Sequence, residues 1–377
     1  MKKDRHKILI LGGYGNFGWR ISRAFAKTDI PFVISGRSKE KAEKLLRDLK
    51  IIYPESSIET VIFDINKDLP SQLKALAPKV VINTCGPFQD SDYSVAENCI
   101  KAGVHYIDLS DGREFVREIV TLDKNAKANN VLVVSGASTV PGLSSAVLEE
   151  YKDEFSEIDS LVFGISPGAK APRGLGTTKA VLSYIGKSIK SFTKGGPVIY
   201  GWQDLYRQKY PGIGNRWMAN CEIPDLDLLP KKYLIKSIRF SAGMENTVLH
   251  LSIWLVSWLV RLGALSNLPK HAKILLKLST FFDWMGTVDG GMHMLIKGSD
   301  KNGNKHERKW FIVAKKNDGA NIPTIPAIIL AKKLIAGKID KRGALPCVGM
   351  VMLNEYMDEL KGFDIKIYTD VLLNYTK

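Results

Sequence analysis

The sequence predicts an α/β protein: an N-terminal Rossmann domain, a doubly wound parallel sheet, followed by a second α+β domain. Three observations carry that expectation. A glycine-rich turn, Gly13-Tyr14-Gly15-Asn16-Phe17-Gly18, follows a short apolar run and opens a helical pattern. Apolar strands then alternate with helical stretches through the first 150 residues, the rhythm of crossover units in a parallel sheet. The chain of 377 residues exceeds the usual size of one core, and the alternation fades in its second half. The expected divisions are 1–150 for the Rossmann domain, 151–342 for the α+β domain and 343–377 for a C-terminal segment that returns to the first domain.

Lys7 to Leu11 reads as the first buried strand and Trp19 to Lys27 as the first helix. Between them, Gly13 permits a tight turn, Gly15 lets a pyrophosphate approach the backbone, and Gly18 lets the helix pack close to the strand. The helix N-terminus offers unpaired N–H groups and partial positive charge to a diphosphate. Pro31 to Ser35 is the second strand, and a helix runs from Glu40 to Leu49. An NAD-specific domain usually carries Asp or Glu at the end of this strand. Here Ser35, Gly36 and Arg37 stand in that place, which suits a 2′-phosphate. Arg37 can pair with the phosphate and lie on the adenine, with Lys41 adding charge. Ser38 can donate to the phosphate or cap the next helix.

Ile58 to Phe63 forms the third strand. Asp64 at its end either accepts from the adenine amino group or is an exposed loop carboxylate. Val80 to Asn83 is the fourth strand, and Thr84-Cys85-Gly86-Pro87-Phe88 is a candidate floor for ribose and nicotinamide. Helices over Tyr93–Ala102 and Phe115–Asn129 alternate with strands over His105–Leu109 and Val131–Ser135, before a helix over Leu143–Tyr151. In the second half, Leu161–Ser166, Pro197–Gly201 and Ser237–Ala242 read as strands. Met292–Lys297 and Trp310–Ala314 form a hairpin about the turn Asp300-Lys-Asn-Gly-Asn304. Helices are expected over Thr177–Ile185, Thr247–Leu262, His271–Phe282, Ile325–Ala336 and Gly349–Leu360.

The composition, 45% hydrophobic and 25% charged, is that of an ordinary globular protein, but the net charge is +15. The basic residues are scattered, which favours a solvated basic surface with some anion-binding residues over a nucleic-acid partner. Met1-Lys-Lys-Asp4 leads straight into the first strand and leaves no room for a secretory leader. The four cysteines, Cys85, Cys99, Cys221 and Cys347, show no metal-ligand spacing, and they read as reduced thiols in a cytoplasmic protein. Val248 to Val260 is strongly apolar but short for a bilayer span. It is expected to pack in a homodimer, with a membrane surface as the less favoured partner.

Asn83-Thr-Cys-Gly-Pro-Phe88, Ala102-Gly-Val-His-Tyr-Ile-Asp108 and Val140-Pro-Gly142, with the glycine turn and Gly36-Arg37, resemble the saccharopine dehydrogenase-like family. Thr177-Thr178, Asp289-Gly-Gly-Met-His293 and Gly343-Ala-Leu-Pro-Cys347 resemble a bacterial branch of it. The resemblance implies an NADP(H)-binding domain, a second domain for substrate and dimer contacts, and hydride exchange with a C–N bond or, in lipid-acting relatives, an activated C=C bond. Carried over, Gly13, Gly15, Asn16 and Phe17 contact the pyrophosphate, beside Tyr14 and Gly18. Arg37 holds the adenosine phosphate, and Gly86, Pro87 and Phe88 line the nicotinamide side next to Cys85.

Hydride transfer asks for positioning and a proton donor or acceptor. His293, in the glycine-flanked Asp289–His293 run, is the candidate acid–base; the alternative is a histidine alternating outward from a strand. Asp108 is the candidate orienting group, against a role in local backbone hydrogen bonding. Asp111 reads as a helix cap, and Cys85 as a packed thiol. Arg173 and Arg216, in glycine-flanked loops, are candidates to grip an anionic small-molecule substrate, or are solvated side chains. A non-catalytic NADP(H)-binding regulator is the rival reading.

Overall fold

A computed structural model describes residues 6–89, 91–190 and 198–369. The leader-free start inferred from Met1–Asp4 lies outside the described residues. The chain divides into two compact units, residues 1–146 with 321–359, and 147–320 with 360–377.

The first unit is a seven-stranded parallel sheet with helical crossovers. Strands β1 (Ile8–Leu11), β2 (Phe32–Gly36), β3 (Ile58–Ile62), β4 (Val80–Asn83), β5 (His105–Asp108) and β6 (Leu132–Ser135) pair in the order β6-β5-β4-β1-β2-β3. A further strand, Gly343–Pro346, pairs in parallel with β6 at the edge. All four residues of β1 and of β4 are buried, as a sheet covered on both faces requires. The order reverses between β1 and β4, which puts the switch point of the sheet beside the glycine turn.

Helix α1 is Gly18–Ala26, α2 is Lys39–Ile52 and α3 is Ile65–Leu76. The last is absent from the sequence reading, because Pro70 inside it withholds a backbone donor and interrupts the pattern. The helix expected over Phe115–Asn129 is broken by a 3₁₀ turn, Ile119–Leu122, whose Ile119 and Leu122 point into the core. Beyond that turn, the Asp123 carboxylate accepts from the Ala344 N–H at 3.0 Å and so anchors the edge strand.

The return to the first unit begins at Asn321, earlier than the expected residue 343, and the chain leaves it again after Glu359. The reason lies in the helix Ile325–Ile335, which buries Ile325, Ile328, Ile329, Leu330 and Leu334. Apolar almost all round, it packs against β4, β5 and α1.

The second unit is a seven-stranded mixed sheet. Its central strand, Glu157–Ser166, runs parallel to Ser237–Met244 and antiparallel to Gly290–Ser299. The hairpin Gly290–Ser299/Lys305–Ala314 forms about the Asp300–Asn304 turn, and Ile365–Thr369 extends that side. On the other side lie Gly214–Asn220 and then Tyr206–Tyr210, neither of them read as strands in the sequence. The strand expected over Pro197–Gly201 is limited to Ile199–Tyr200, with Pro197 outside the described residues. The helices Thr247–Arg261 and Ala272–Thr280 cover a cluster centred on Leu182, Ile185, Trp202 and Ala219.

Candidate cofactor-binding site

A cavity of about 580 Å³ opens in the first unit at the carboxyl ends of β1 to β4. Each strand contributes through the loop that follows it: Gly12 and Tyr14 after β1, Gly36 and Arg37 at β2, Asp64 and Asn66 after β3, and Cys85, Gly86, Pro87 and Phe88 after β4. Carboxyl ends around a switch point are where open parallel sheets bind ligands, since only there do diverging loops leave backbone groups unpaired.

The turn after β1 differs in detail from the sequence reading. Gly12, not Gly13, holds the left-handed backbone conformation, with φ 72°. Gly13, in the same turn, is buried against β2: a Cβ there would lie 3.0 Å from Ile34 Cγ2. Gly18 does what its position predicts, because a Cβ would stand 2.1 Å from the Gly12 carbonyl oxygen. Gly15 meets only that same carbonyl, at 3.1 Å. Asn16 is engaged by Arg20, whose Nη1 donates to Asn16 Oδ1 at 2.8 Å. Phe17 is the N-cap of α1 and offers no side-chain oxygen to the first turn. In contrast, Ser38 Oγ accepts from Lys41 N at 3.4 Å, and Asp64 Oδ1 from Asn66 N at 3.0 Å, so α2 and α3 are capped. Of these three helices, α1 is the one whose N-cap residue gives no side-chain cap, which suits an anion at the glycine turn.

Gly13, Gly15, Asn16, Phe17, Gly18, Ser35 and Ser38 shape the turn and helix ends that present Gly12, Tyr14, Gly36 and Arg37 to the cavity. Ser35 departs furthest from the expectation of contact. It is fully buried, and its hydroxyl donates to the Ile10 carbonyl at 3.0 Å. Tyr14 shapes the adenosine end. Its ring lies over Gly36, where a Cβ would fall 2.4 Å from Cε1, and its hydroxyl accepts from the Ser38 N–H at 2.7 Å. Beside it, Arg37 is exposed on the cavity, and among the described residues no carboxylate pairs with it. No acidic side chain occupies the end of β2.

On the β4 side, the Cys85 N–H donates to Asn83 Oδ1 at 3.0 Å, and Asn83 Nδ2 donates to the Tyr106 hydroxyl at 3.1 Å. Asn83 and Tyr106 also line the cavity, and the sequence reading missed them. The alternation that marks both as buried strand residues hides their polar ends. Burial pushes the Cys85 thiol up to about 11, a shift that Arg37 opposes, so it stays protonated at neutral pH. Phe88 closes this side with its ring 5.3 Å from that of Phe115.

The candidate catalytic and substrate residues are held by partners within their own units. Asp108 is fully buried and absent from the cavity wall. Its Oδ1 accepts from Ser110 N, Ser135 Oγ and Gly136 N, each at 2.9 Å, tying the ends of β5 and β6 together. Burial raises its carboxyl to about 6, against the pull of those donors. Asp111 accepts from Gln89 at 2.9 Å, and Gly112, not Asp111, is the N-cap of the following helix.

His293 lies in the core of the second unit at 2% exposure. Its Nδ1 and Nε2 meet the hydroxyls of Tyr210 at 2.8 Å and Tyr206 at 3.2 Å. Burial lowers its imidazole to about 3, which removes it as an acid near neutral pH. Arg216 sits in a strand, not a loop, and is buried against Glu245 at 3.2 Å. Burial alone would raise the Glu245 carboxyl, but hydrogen bonds from Ala169 and Thr287, with the Arg216 charge, hold it low. Arg173 is spent on Asp283, Ser279 and the Ala169 carbonyl. Both guanidinium groups serve the unit's own architecture.

The family model for the saccharopine dehydrogenase NADP-binding domain matches residues 8–134, the segment that carries β1 to β6. The cofactor of this domain is NADP(H), in agreement with Arg37 where an acidic residue would mark NAD. The domain is similar to the saccharopine dehydrogenase-like oxidoreductases of Homo sapiens and Pongo abelii, each 27% identical over 150 residues. Those matches cover 36% of this chain and 35% of the relative, so the chain spans about a third of the length of the curated relatives it matches. Across 97% of its length the chain also shares its fold with 99% of apo saccharopine dehydrogenase (L-Glu forming) from Saccharomyces cerevisiae. The TM-score is 0.65 at 14% identity.

Proposed function

We propose that this chain is an NADP-dependent oxidoreductase acting on a C=N bond, or an activated C=C bond, of an anionic small molecule. The observation that carries the reading is Arg37, exposed on the same cavity as Cys85–Phe88 of the β4 loop and paired with no carboxylate among the described residues. Arg37 would take the 2′-phosphate, the uncapped first turn of α1 the pyrophosphate, and Gly86, Pro87 and Phe88 the nicotinamide side. Bound NADP(H) supplies or accepts the hydride. The protein's share is to bind and orient: Tyr14 fixes the turn that carries Arg37, and Phe88 with Phe115 walls the β4 side with apolar surface. The net charge of +15 supports an anionic substrate, with Arg173 and Arg216 no longer part of that argument.

One observation favours a second reading, a non-catalytic NADP(H)-binding regulator: Asp108 does not line the cavity, and His293 is buried within its own unit. Fluorescence titration with NADPH and NADH, followed by a turnover screen of amines, imines and enoyl compounds, separates the readings. Preferential NADPH binding with turnover of one class sustains the enzyme. Tight NADPH binding with no turnover in any class establishes the regulator, and equal affinity for NADH removes the role given to Arg37.

A further inference from the structure

We propose that the outward face of the helices Thr247–Arg261 and Ala272–Thr280 docks on the surface of an anionic lipid membrane. Most of the exposed large hydrophobic residues of the described chain fall between Val248 and Met285. Leu251, Leu255 and Leu259 recur four apart on one face of the first helix, with Leu255 57% exposed. Ile274, Leu278 and Phe281 form a matching row on the second, with Phe281 74% exposed. The inner faces of both helices are already used: Ile253, Val256 and Leu275 pack on the cluster around Trp202. The outer rows are therefore surplus to the fold of this unit, and concentrated apolar surface of this kind marks an interaction site.

Charge selects the occupant. No Asp or Glu occurs from Thr247 to Phe282, and the first acidic residue beyond, Asp283, is taken by Arg173. Lys270, Lys273 and Lys277 are exposed beside the second apolar row, and no carboxylate pairs with them among the described residues. A symmetric contact with a second copy would set these lysines against their own counterparts with no acid to separate them. A surface of anionic lipid headgroups is complementary: the apolar rows enter the acyl boundary while the lysine stems lie along it and their ammonium groups reach the phosphates. The docking is in-plane. No described helix is long and apolar enough to cross a membrane, and a 15-residue helix spans about 22 Å, short of a hydrocarbon core of about 30 Å.

Flotation of the full chain with phosphatidylcholine vesicles, with and without phosphatidylglycerol, tests this. Co-flotation is expected with the anionic vesicles only, and should weaken as salt is raised. Leu255→Glu combined with Phe281→Glu should abolish it. Lys270→Gln, Lys273→Gln and Lys277→Gln should each weaken it about fivefold, and together about a hundredfold. All five side chains are exposed, so each variant should retain the parent melting temperature and NADPH affinity, which separates loss of docking from loss of fold. Absence of vesicle binding overturns the proposal, as does equal binding to both vesicle types. It also fails if sedimentation shows a dimer that Leu255→Glu dissociates while the parent protein ignores vesicles.

Discussion

The two units use the same residue types to opposite ends. In the first, Arg37 stands exposed on a cavity wall, and among the described residues no carboxylate pairs with it, at a strand end where the chain diverges into a loop. In the second, Arg216 is pinned to Glu245, Arg173 to Asp283, and His293 lies between two tyrosines. The difference is architectural. A parallel sheet ends its strands together and leaves unpaired groups along one edge. A sheet built largely of antiparallel pairs threads its polar residues through ladders, where burial demands that each find a partner. Chemical type thus nominates a site residue, and freedom from an internal partner decides it.

The widest gap between the units should appear in stability. Arg216→Ala removes the buried guanidinium that faces the largely enclosed Glu245 carboxylate, which is expected to cost about 3 kcal/mol. Of the seven tryptophans, only Trp19 falls in the first unit, so tryptophan fluorescence in a urea titration reports mainly on the second. NADPH affinity should be unchanged; a stable Arg216→Ala variant with weakened ligand binding would erase the contrast.

Arg37→Ala is the mirror experiment. Loss of a charge-assisted hydrogen bond is worth about 1.5–3 kcal/mol, so NADPH affinity should fall roughly ten- to a hundredfold. NADH affinity and the urea midpoint should stay put. A parallel loss for both cofactors would mean that Arg37 holds the turn and not the phosphate.

Acid sharpens the comparison, because the buried groups shift in opposite senses. His293 titrates at about 3 in the fold, against about 6.5 in an unfolded chain. Below pH 6.5 the unfolded state therefore binds the extra proton. The second unit should lose about 1.4 kcal/mol per pH unit as pH falls from about 6.5 toward 3. Asp108 is raised from 3.8 to about 6, so its contribution to the first unit is present below pH 3.8 and lost as pH rises through 6. Hydrogen exchange between pH 4 and 6 should show protection rising with pH around His293 and falling around β5 and β6. Trends of the same sign would refute the account of one histidine or one aspartate.

The smallest expected effect is at Tyr14. Tyr14→Phe keeps the ring over Gly36 but withdraws the acceptor for the Ser38 N–H, a loss of about 1 kcal/mol. The ratio of NADPH to NADH affinity should drop about fivefold, with NADH alone little changed. An unaltered ratio would show that the turn holds Arg37 without the hydroxyl.

Much of the first unit is legible in the residues because its signals are local. Gly18 must be glycine for the helix to clear the Gly12 carbonyl, and Arg37 follows a strand that lacks an acid. Asn83 and Tyr106 escaped notice because a polar end on a buried strand residue looks like core until its neighbours are known. Pro70 hid a helix for the same kind of reason: the local rule it breaks is outweighed by Leu69 and Leu73, which that helix buries.

By itself the sequence determined the parallel-sheet domain, its glycine turn and NADP(H) as its cofactor, all of which follow from residues close together in the chain. Tertiary structure alone decided which candidate side chains are free. Asp108, Arg216 and His293 each carry suitable chemistry, yet their partners, Ser135, Glu245 and Tyr210, lie 27, 29 and 83 residues away. A hydrogen bond or ion pair between distant positions leaves no periodic trace, and burial then converts a potential acid, base or anion grip into a structural tie.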